Sequence, residues 1–484
     1  MKLIFSTLLI LMSVAGLKAQ LWQSELSTGI LGPPGYQEQI KGYDIQETND
    51  GNYVFAANNE SGVGSNLTYT PMLIKLDATT GNVLWQRGYS TFNDGAMQEV
   101  SLVEKPNGNL LMAGLSHNEI FLIETDAVGD TIKTSTYIST CVMPAVNPCN
   151  LHTVRLRSTN DGNYIIGVGS TGGFVGIPTP RNDLFKINPN HTVLWQKTYD
   201  KRFLLDFQPT SDGGYILSGS TTVSQAILFK VDENGDSLWQ QPYTSVPVYD
   251  LHSVKETPDH GFVVAGYLSG FAGTNPYLFK LDSTGTTEVW SLILGPEEGN
   301  ARDVIVYPNG NYVVTGTKQV THGGMLGVML PAAFVSKVSP SGVLLQDQIF
   351  DDLINNSSRA IRYTSDGNFV IAGSHGSGMG NEDRGYVVKT GYTLNTLEVA
   401  EKIETINVFP NPFQAETVIS VEGDYNQLQL EVYDALGRSI PVTYTQDTKR
   451  VVLSRKNLEV GIYGFRLIGE DKVIGTGKLV VSTL

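Results

Sequence analysis

A turn signal that recurs about every fifty residues constrains the fold of this 484-residue chain more than any other feature. Successive copies are 57, 54, 51, 47, 50 and 57 residues apart. The copies are Asp50-Gly51, Asn107-Gly108, Asp161-Gly162, Asp212-Gly213, Asp259-His260, Asn309-Gly310 and Asp366-Gly367. Seven copies at this period are typical of a ring of β-sheets or of a linear repeat array. Because Gly and Asn tolerate positive φ angles, we expect a two-residue hairpin turn of a primed type at each copy.

Apolar residues flank every copy at fixed distances, five positions before the turn and three positions after its first member. Short apolar segments bounded by turns predict strands, and each repeat contains four of them. A tryptophan recurs in the last strand of five units: Trp22, Trp85, Trp195, Trp239 and Trp290. A large aromatic side chain there would fill the gap between neighbouring sheets. Lys133 and Gln346 take this position in repeats two and six.

The seventh repeat lacks its own fourth strand, and the segment Leu21-Trp22-Gln23 has the sequence that this strand should have. It matches Leu84-Trp85-Gln86 of the first repeat. We therefore predict an all-β chain in which residues 20–395 form a seven-bladed β-propeller closed by the N-terminal strand, since closure removes exposed sheet edges. An open solenoid, the alternative, would leave Trp22 unexplained.

From about residue 406 the repeat stops, and alternating strand patterns predict a small antiparallel β-sandwich over residues 406–484, after a linker at 396–405. Its motif residues are Pro410, Asn411, Pro412, Asp434, Gly437, Gly461, Tyr463 and Lys478. Together and in this order they resemble the type A C-terminal sorting domain of the type IX secretion system of Bacteroidetes. The resemblance implies that the secretion machinery is a partner. An accessory immunoglobulin-like domain with no sorting role is the alternative.

The N-terminus has the pattern of a secretory signal peptide at residues 1–19: Lys2, an apolar run over 3–14 and small residues up to Ala19. We expect export to the periplasm, followed by release or display on the outer cell surface. No other segment reaches eighteen apolar residues, so no transmembrane segment is predicted. Cys141 and Cys149, the two cysteines of the chain, are expected to form a local disulfide in this oxidising environment.

The net charge of −15 argues against a nucleic-acid partner, because binding to phosphate backbones needs clustered Lys and Arg. A Lys that recurs in the third strand is expected to pair with acidic neighbours. The sequence contains no recognised metal-binding, cofactor-binding or catalytic motif. The segment Asp232–Asp236 resembles a calcium loop only in composition, and an Asx turn is the favoured interpretation.

The first strands place Asp44, Arg155, Asp206 and Asp303 at one level near the predicted axis, and these four residues are the candidate channel. Three acids and one Arg at this level predict a polar channel. Segments of variable length, such as 58–70 and 322–331, are expected to form loops on one face of the ring, where recognition commonly occurs.

We expect a secreted or surface-displayed protein that binds rather than catalyses, with adhesion or capture of an extracellular glycan or protein as its task. The alternative is a polysaccharide-active hydrolase or lyase that uses a carboxylate pair, for example Asp94 with Asp303.

Overall fold

The computed structural model describes residues 20–27, 36–63, 66–89, 99–116, 119–139, 150–171, 181–200, 202–221, 225–243, 248–270, 273–322, 328–350, 355–376, 383–391, 406–421, 423–433, 439–469 and 472–482. The chain divides into two compact units, Met1–Tyr392 and Thr393–Leu484. Apart from one short 3₁₀ helix, the regular structure of the described residues consists of β-strands, so the chain is all-β.

The first unit contains seven four-stranded antiparallel sheets in its described residues. Sheet 1 comprises β2 (Tyr36–Glu47), β3 (Tyr53–Val63), β4 (Asn66–Leu76) and β5 (Val83–Gly88); sheet 2 comprises β6 (Val100–Glu104), β7 (Leu110–Ser116), β8 (Glu119–Thr125) and β9 (Thr131–Ile138); sheet 3 comprises β10 (Asn150–Ser158), β11 (Tyr164–Thr171), β12 (Arg181–Ile187) and β13 (Val193–Asp200). Sheet 4 comprises β14 (Arg202–Pro209), β15 (Tyr215–Thr221), β16 (Ala226–Val231) and β17 (Ser237–Pro242); sheet 5 comprises β18 (Val248–Glu256), β19 (Phe262–Gly270), β20 (Gly273–Leu281) and β21 (Glu288–Ile293). Sheet 6 comprises β22 (Gly299–Val306), β23 (Tyr312–His322), β24 (Val328–Val338) and β25 (Leu344–Phe350); sheet 7 comprises β26 (Asn355–Tyr363), β27 (Phe369–Gly376), β28 (Asp383–Thr390) and, as its fourth strand, β1 (Gln20–Leu26). Each sheet is open, with two edge strands that do not pair with each other.

The N-terminal strand β1 pairs antiparallel with β28, the last strand of the seventh repeat. Trp22 lies opposite Lys389, just as Trp85 lies opposite Lys75 in sheet 1. The predicted pairing of the N-terminal segment is therefore present in the structure.

Apolar clusters lie between successive sheets and form the core of the first unit. Six of them join sheets 1 to 7 in chain order. A seventh joins sheet 7 to sheet 1, with Leu26, Val370 and Val387 packed together with Ile40 and Ile45. Removal of these faces from water is the main force that holds the sheets together.

The repeated turn differs from the expected primed turn. In the first copy, Gly51 N donates to Thr48 O (2.8 Å) and Thr48 N donates to Asn52 O (2.8 Å). This is a type I turn followed by one left-handed residue, Gly51, with φ 78°. The prediction of positive φ at both members was wrong, because only the second member occupies the left-handed region; His260 does so in the fifth copy, with φ 60°.

Each tryptophan of the repeat packs against a glycine in the next sheet. The glycine belongs to the turn between the third and fourth strands and has positive φ. A Cβ atom on Gly81 would lie 2.5 Å from Trp22, and one on Gly285 would lie 2.3 Å from Trp239. The other pairs are Trp85 with Gly129, Trp195 with Gly235 and Trp290 with Gly342. The predicted filling of the gap between sheets thus depends on a residue without a side chain in the partner turn.

Lysines of the third strands pair with the aspartates of the repeated turns, as expected. The Nζ–Oδ2 distances are 2.6 Å for Lys75–Asp50 and 2.8 Å for Lys230–Asp212. Equivalent pairs are Lys186–Asp161, Lys280–Asp259 and Lys389–Asp366. These lysines therefore serve the turns of their own sheets and do not form a basic patch.

Two segments predicted as loops are extended hairpins. The β3–β4 ladder continues to the Val63–Asn66 pair, and the β23–β24 ladder continues to the His322–Val328 pair. The expectation of loops at 58–70 and 322–331 was wrong, because strand pairing continues well beyond the apolar segments that mark the core.

The second unit contains two four-stranded antiparallel sheets in its described residues. One comprises β29 (Asn407–Phe409), β30 (Glu416–Ser420), β34 (Arg450–Ser454) and β33 (Thr443–Gln446). The other comprises β32 (Ser439–Ile440), β31 (Leu428–Tyr433), β35 (Gly461–Gly469) and β36 (Lys472–Val481), and a 3₁₀ helix spans Arg455–Asn457. Both sheets contribute to one apolar cluster that includes Ile419, Val432, Leu453 and Leu467.

Candidate functional site

The first strands of the seven sheets surround a central cavity in the first unit. All four candidate channel residues, Asp44, Arg155, Asp206 and Asp303, line it. Two layers can be distinguished along the cavity, a deeper acid layer and an outer ring.

The carboxylates of the acid layer tie neighbouring first strands together. Asp44 Oδ2 accepts from Leu102 N (3.1 Å), which belongs to the next sheet. Asp206 Oδ2 accepts in the same way from Val254 N (3.3 Å), and Asp303 Oδ2 accepts from Ile361 N (3.1 Å). These contacts give the acids a structural task, because each satisfies a buried backbone donor across a sheet boundary.

Three cations neutralise the acid layer. Arg362 pairs with Asp303 (Nη1–Oδ2, 2.7 Å) and also with Asp44. Asp206 pairs with Arg157 (2.9 Å) and Lys255 (3.2 Å).

The charges around Asp206 decide its protonation state. Burial alone would raise the pKa of Asp206, but Lys255, Arg157 and Arg155 outweigh this and lower it to about 2. Three carboxylates and three cations leave this layer with no net charge.

The sequence interpretation missed these cations. It counted three acids against one Arg at a single level, but Arg157, Lys255 and Arg362 stand two positions after that level in sheets 3, 5 and 7. Side chains two apart in a strand share a face, so the period-two rule could have placed them in the cavity. Which carboxylate each cation pairs with depends on how neighbouring sheets pack, and the sequence pattern does not predict this packing.

The outer ring, here called the vestibule ring, comprises seven residues, one from each sheet: Tyr43, Glu99, Arg155, Leu205, His252, Arg302 and Arg359. Thr153 of sheet 3 lines the same opening. Together they surround about 410 Å³ of open space. Apart from Arg155, which stands at the level of the acids, the ring residues come one or two positions before that level, so the ring lies towards the start of the first strands.

β-bulges present five of the seven ring residues. The register between first and second strands shifts around Tyr43, Leu205, His252, Arg302 and Arg359. A bulge adds one unpaired residue and turns its side chain away from the regular alternation, which is why bulges often occur beside binding sites. β-bulges at the same level of five sheets therefore determine which side chains form most of the ring.

Only one guanidinium of the ring pairs with a carboxylate within the described part of the chain. Arg155 Nη1 binds Glu99 Oε2 at 2.5 Å. Arg302 donates from Nε to Asn300 Oδ1 (2.9 Å), and the Arg359 guanidinium lies 4.7 Å from the centre of the Tyr43 ring. Both side chains are exposed to solvent through the open mouth.

The positive charges of the ring lower the pKa values of neighbouring ring residues. Partial desolvation of Arg302 in the mouth, together with the nearby charge of Arg359, lowers its pKa. Burial and the cations Arg302, Arg155 and Arg359 hold the pKa of His252 well below its usual value, so this imidazole is neutral. Its Nε2 has no hydrogen-bond partner. The ring is thus rich in donors and positive charge.

The proposed carboxylate pair of a hydrolase receives no support from Asp303. That side chain accepts from two backbone N–H groups and from Arg362, which fixes it between sheets 6 and 7. Its intended partner Asp94 lies outside the described residues, as do Cys141 and Cys149. Among the residues that the structure describes, no group of three His, Cys, Asp or Glu side chains could hold a metal ion.

In the second unit, the Pro410-Asn411-Pro412 segment is fastened to the last strand. Asn411 Nδ2 donates to Lys478 O and Val480 N donates to Asn411 Oδ1, both at 2.8 Å. Phe413 N extends the contact by donating to Val480 O (2.9 Å). The Asn411 side chain thus takes the place of a neighbouring strand for β36.

Residues 407–482 match the family described as the secretion system C-terminal sorting domain. The second unit is a secretion-system sorting domain. This confirms the resemblance inferred from the Pro-Asn-Pro opening and the motifs that follow it. The chain is therefore a secreted protein handled by the type IX machinery.

Within the sorting domain, Gly461 begins β35 and Tyr463 donates from its hydroxyl to Glu459 O (3.0 Å). The Lys478 side chain is exposed. Asp434 and Gly437 lie outside the described residues.

Solved structures with a similar arrangement include proteins of very different sequence. One is described as the structure of the Dos1 propeller; it is 11% identical, with 72% of this chain and 78% of that chain covered and a TM-score of 0.45. Sqt1 from Chaetomium thermophilum is 9% identical over 77% of this chain and 98% of that chain, with a TM-score of 0.43. BamB from Moraxella catarrhalis is 13% identical over 73% and 86%, with a TM-score of 0.37. No curated protein shows significant sequence similarity to the chain.

Among the described residues, none of the helices has the length and apolar character needed to cross a bilayer.

Proposed function

We propose that the first unit is a seven-bladed β-propeller closed by β1, and that the sorting domain is a β-sandwich. The apolar clusters that join each sheet to the next, and sheet 7 to sheet 1, support the closed ring. The shared core of the two C-terminal sheets supports the sandwich. The proposed domain limits are 20–395 for the propeller and 406–484 for the sandwich, with a linker between them.

We further propose that the propeller binds an extracellular ligand at the vestibule ring. The observation that carries this proposal is the ring itself: seven side chains converge on one opening, and bulges present five of them. A rigid scaffold that presents side chains around a single mouth suits recognition. Adhesion to a polymer or capture of one would follow from such binding outside the cell.

The proposed route begins with the signal peptide at residues 1–19, which takes the chain across the inner membrane of a Bacteroidetes cell. In the periplasm Cys141 and Cys149 form a disulfide. The sorting domain then directs transfer across the outer membrane, with release or display at the cell surface.

The test of binding uses the mature chain on a panel of immobilised glycans and extracellular proteins, and it records both retention and new reducing ends. A Leu205→Trp variant fills the mouth of the ring and should abolish retention whatever the charge of the ligand. Leu194→Trp, an exposed position on the outer strand β13, is the matched control and should bind normally. Product formation, or retention that is indifferent to Leu205→Trp, would contradict the proposal.

A further inference from the structure

The vestibule ring contains more positively charged than negatively charged side chains. Its three guanidiniums, Arg155, Arg302 and Arg359, face one ring carboxylate, Glu99, and that carboxylate is bound to Arg155. Beneath the ring, the acid layer is neutralised by its own three cations. The ring thus has three positive charges and one negative charge, and Asp250 is a further carboxylate whose charge acts on Arg302. This excess of cations occurs in a protein whose net charge is −15.

Arg302 and Arg359 are also held in place. The Asn300 hydrogen bond fixes Arg302 at Nε, and Arg302 Nη1 lies 3.5 Å from His252 Nδ1. The Tyr43 side chain contacts Arg359, whose guanidinium lies 4.7 Å from the centre of the Tyr43 ring. The two cations lie close enough for Arg359 to lower the pKa of Arg302. Such an arrangement is unfavourable by itself, and an anion between the two guanidiniums would relieve it.

We propose that the vestibule ring binds an oxyanion group, a carboxylate, sulfate or phosphate carried by the extracellular ligand, between Arg302 and Arg359. This inference rests on the proposed function and names the chemistry of its ligand. Guanidinium groups bind such oxyanions through paired, charge-assisted hydrogen bonds. The carboxylates of the acid layer are already paired with their own cations, so the ring is the part of the cavity that offers an anionic group positive charge.

The experiment measures binding to the mature chain by calorimetry with four probes. Inorganic sulfate, galacturonate oligomers and a hexaglutamate peptide carry the oxyanion from different sources, and galactose oligomers are the neutral counterpart of the sugar. At least one anionic probe should bind while galactose oligomers do not, and added salt should weaken binding because it screens the charges. The strongest anionic probe then identifies the source.

Charge variants locate the site. Arg302→Gln with Arg359→Gln should weaken binding at least about tenfold, because charge-assisted hydrogen bonds are lost. Glu99→Gln removes the ring carboxylate without removing a cation and should strengthen binding severalfold. Arg87→Gln, at an exposed position on the outer strand β5, is the control and should change nothing.

The outcomes separate this inference from the function on which it rests. Retention of a neutral ligand that Leu205→Trp blocks, but that the double Gln variant leaves intact, would overturn the oxyanion site and keep the binding function. Anion binding equal in wild type, double variant and Glu99→Gln would also overturn it. If the double variant fails to fold, the predicted gain in Glu99→Gln still decides the question.

Discussion

At the scale of single residues, the packing of Trp against Gly explains the five repeats that follow the pattern and one of the two that break it. Sheet 2 has Lys133 where five sheets have Trp, and the facing turn of sheet 3 has His191 where the turns that face a Trp have Gly. Lys133 Nζ donates to Asn190 O (2.8 Å), and His191 adopts φ 65°. Without the indole there is room for a side chain, so the two exceptions occur together for one steric reason.

Gly285→Ala should destabilise the protein by about 2–4 kcal/mol, because the new methyl group would overlap Trp239 and strain a backbone with φ 69°. Gly162→Ala is the matched control: its φ is 77°, but nothing lies within 4 Å of the added atom, so it should cost only about 1 kcal/mol. Denaturant unfolding of both variants measures the difference. Equal losses would show that the Trp contact is unimportant.

Asp212→Asn should reduce stability only where the carboxylate is charged. Burial would raise the pKa of Asp212, but Lys230 and Thr210 lower it to about 2. A carboxyl with a depressed pKa in the folded state stabilises above its unfolded pKa of about 3.9, and the effect disappears as pH falls towards 2. Because Asp212 is half exposed, we expect at most about 1 kcal/mol. Melting curves of both proteins between pH 7 and 2 should converge at the acidic end; a constant offset would argue against the ion pair.

At the scale of elements, the sequence predicted strands well and turns and hairpin lengths less well. Fixed offsets between apolar columns mark the strands because burial repeats in every sheet, and Leu21-Trp22-Gln23 identified the partner of β28 by simple likeness. The primed turn was wrong because Asp-Gly also suits a type I turn with a left-handed Gly. The extensions of β3–β4 and β23–β24 carry few apolar residues, so hydrophobic patterning could not reveal them. The vestibule ring was missed because a bulge shifts the register without a sequence signature of its own.

Deletion of residues 21–25 should lower the Tm by several degrees, because β28 would lose its strand partner and sheet 1 would lose a contact. The lost contacts include Trp22 Nε1 to Ala78 O (2.9 Å) and Ser24 Oγ to Gly81 O (2.6 Å). Differential scanning calorimetry measures the shift. An unchanged Tm would mean that β1 contributes nothing to the ring in solution.

At the scale of the whole molecule, the two units have different roles: the first contains the seven four-stranded sheets and the central cavity, and the second is the sorting domain. The sorting domain could be recognised from sequence because its motifs stand in fixed order, and Asn411 shows a physical reason, since one amide satisfies two backbone groups of β36. The four candidate channel residues line the central cavity, but the sequence did not predict what they do there. Its acids hold sheets together, and the cationic ring above them is the surface that we propose for binding.

The most direct test of this division is where the propeller goes when the chain ends after Thr405. In a host with the type IX pathway, fractionation and immunoblotting compare the amount of propeller in periplasm, cell surface and medium for the full and shortened chains. The account predicts that the full chain reaches the exterior, whereas the shortened chain accumulates folded in the periplasm. Equal amounts of both chains outside the cell would contradict it.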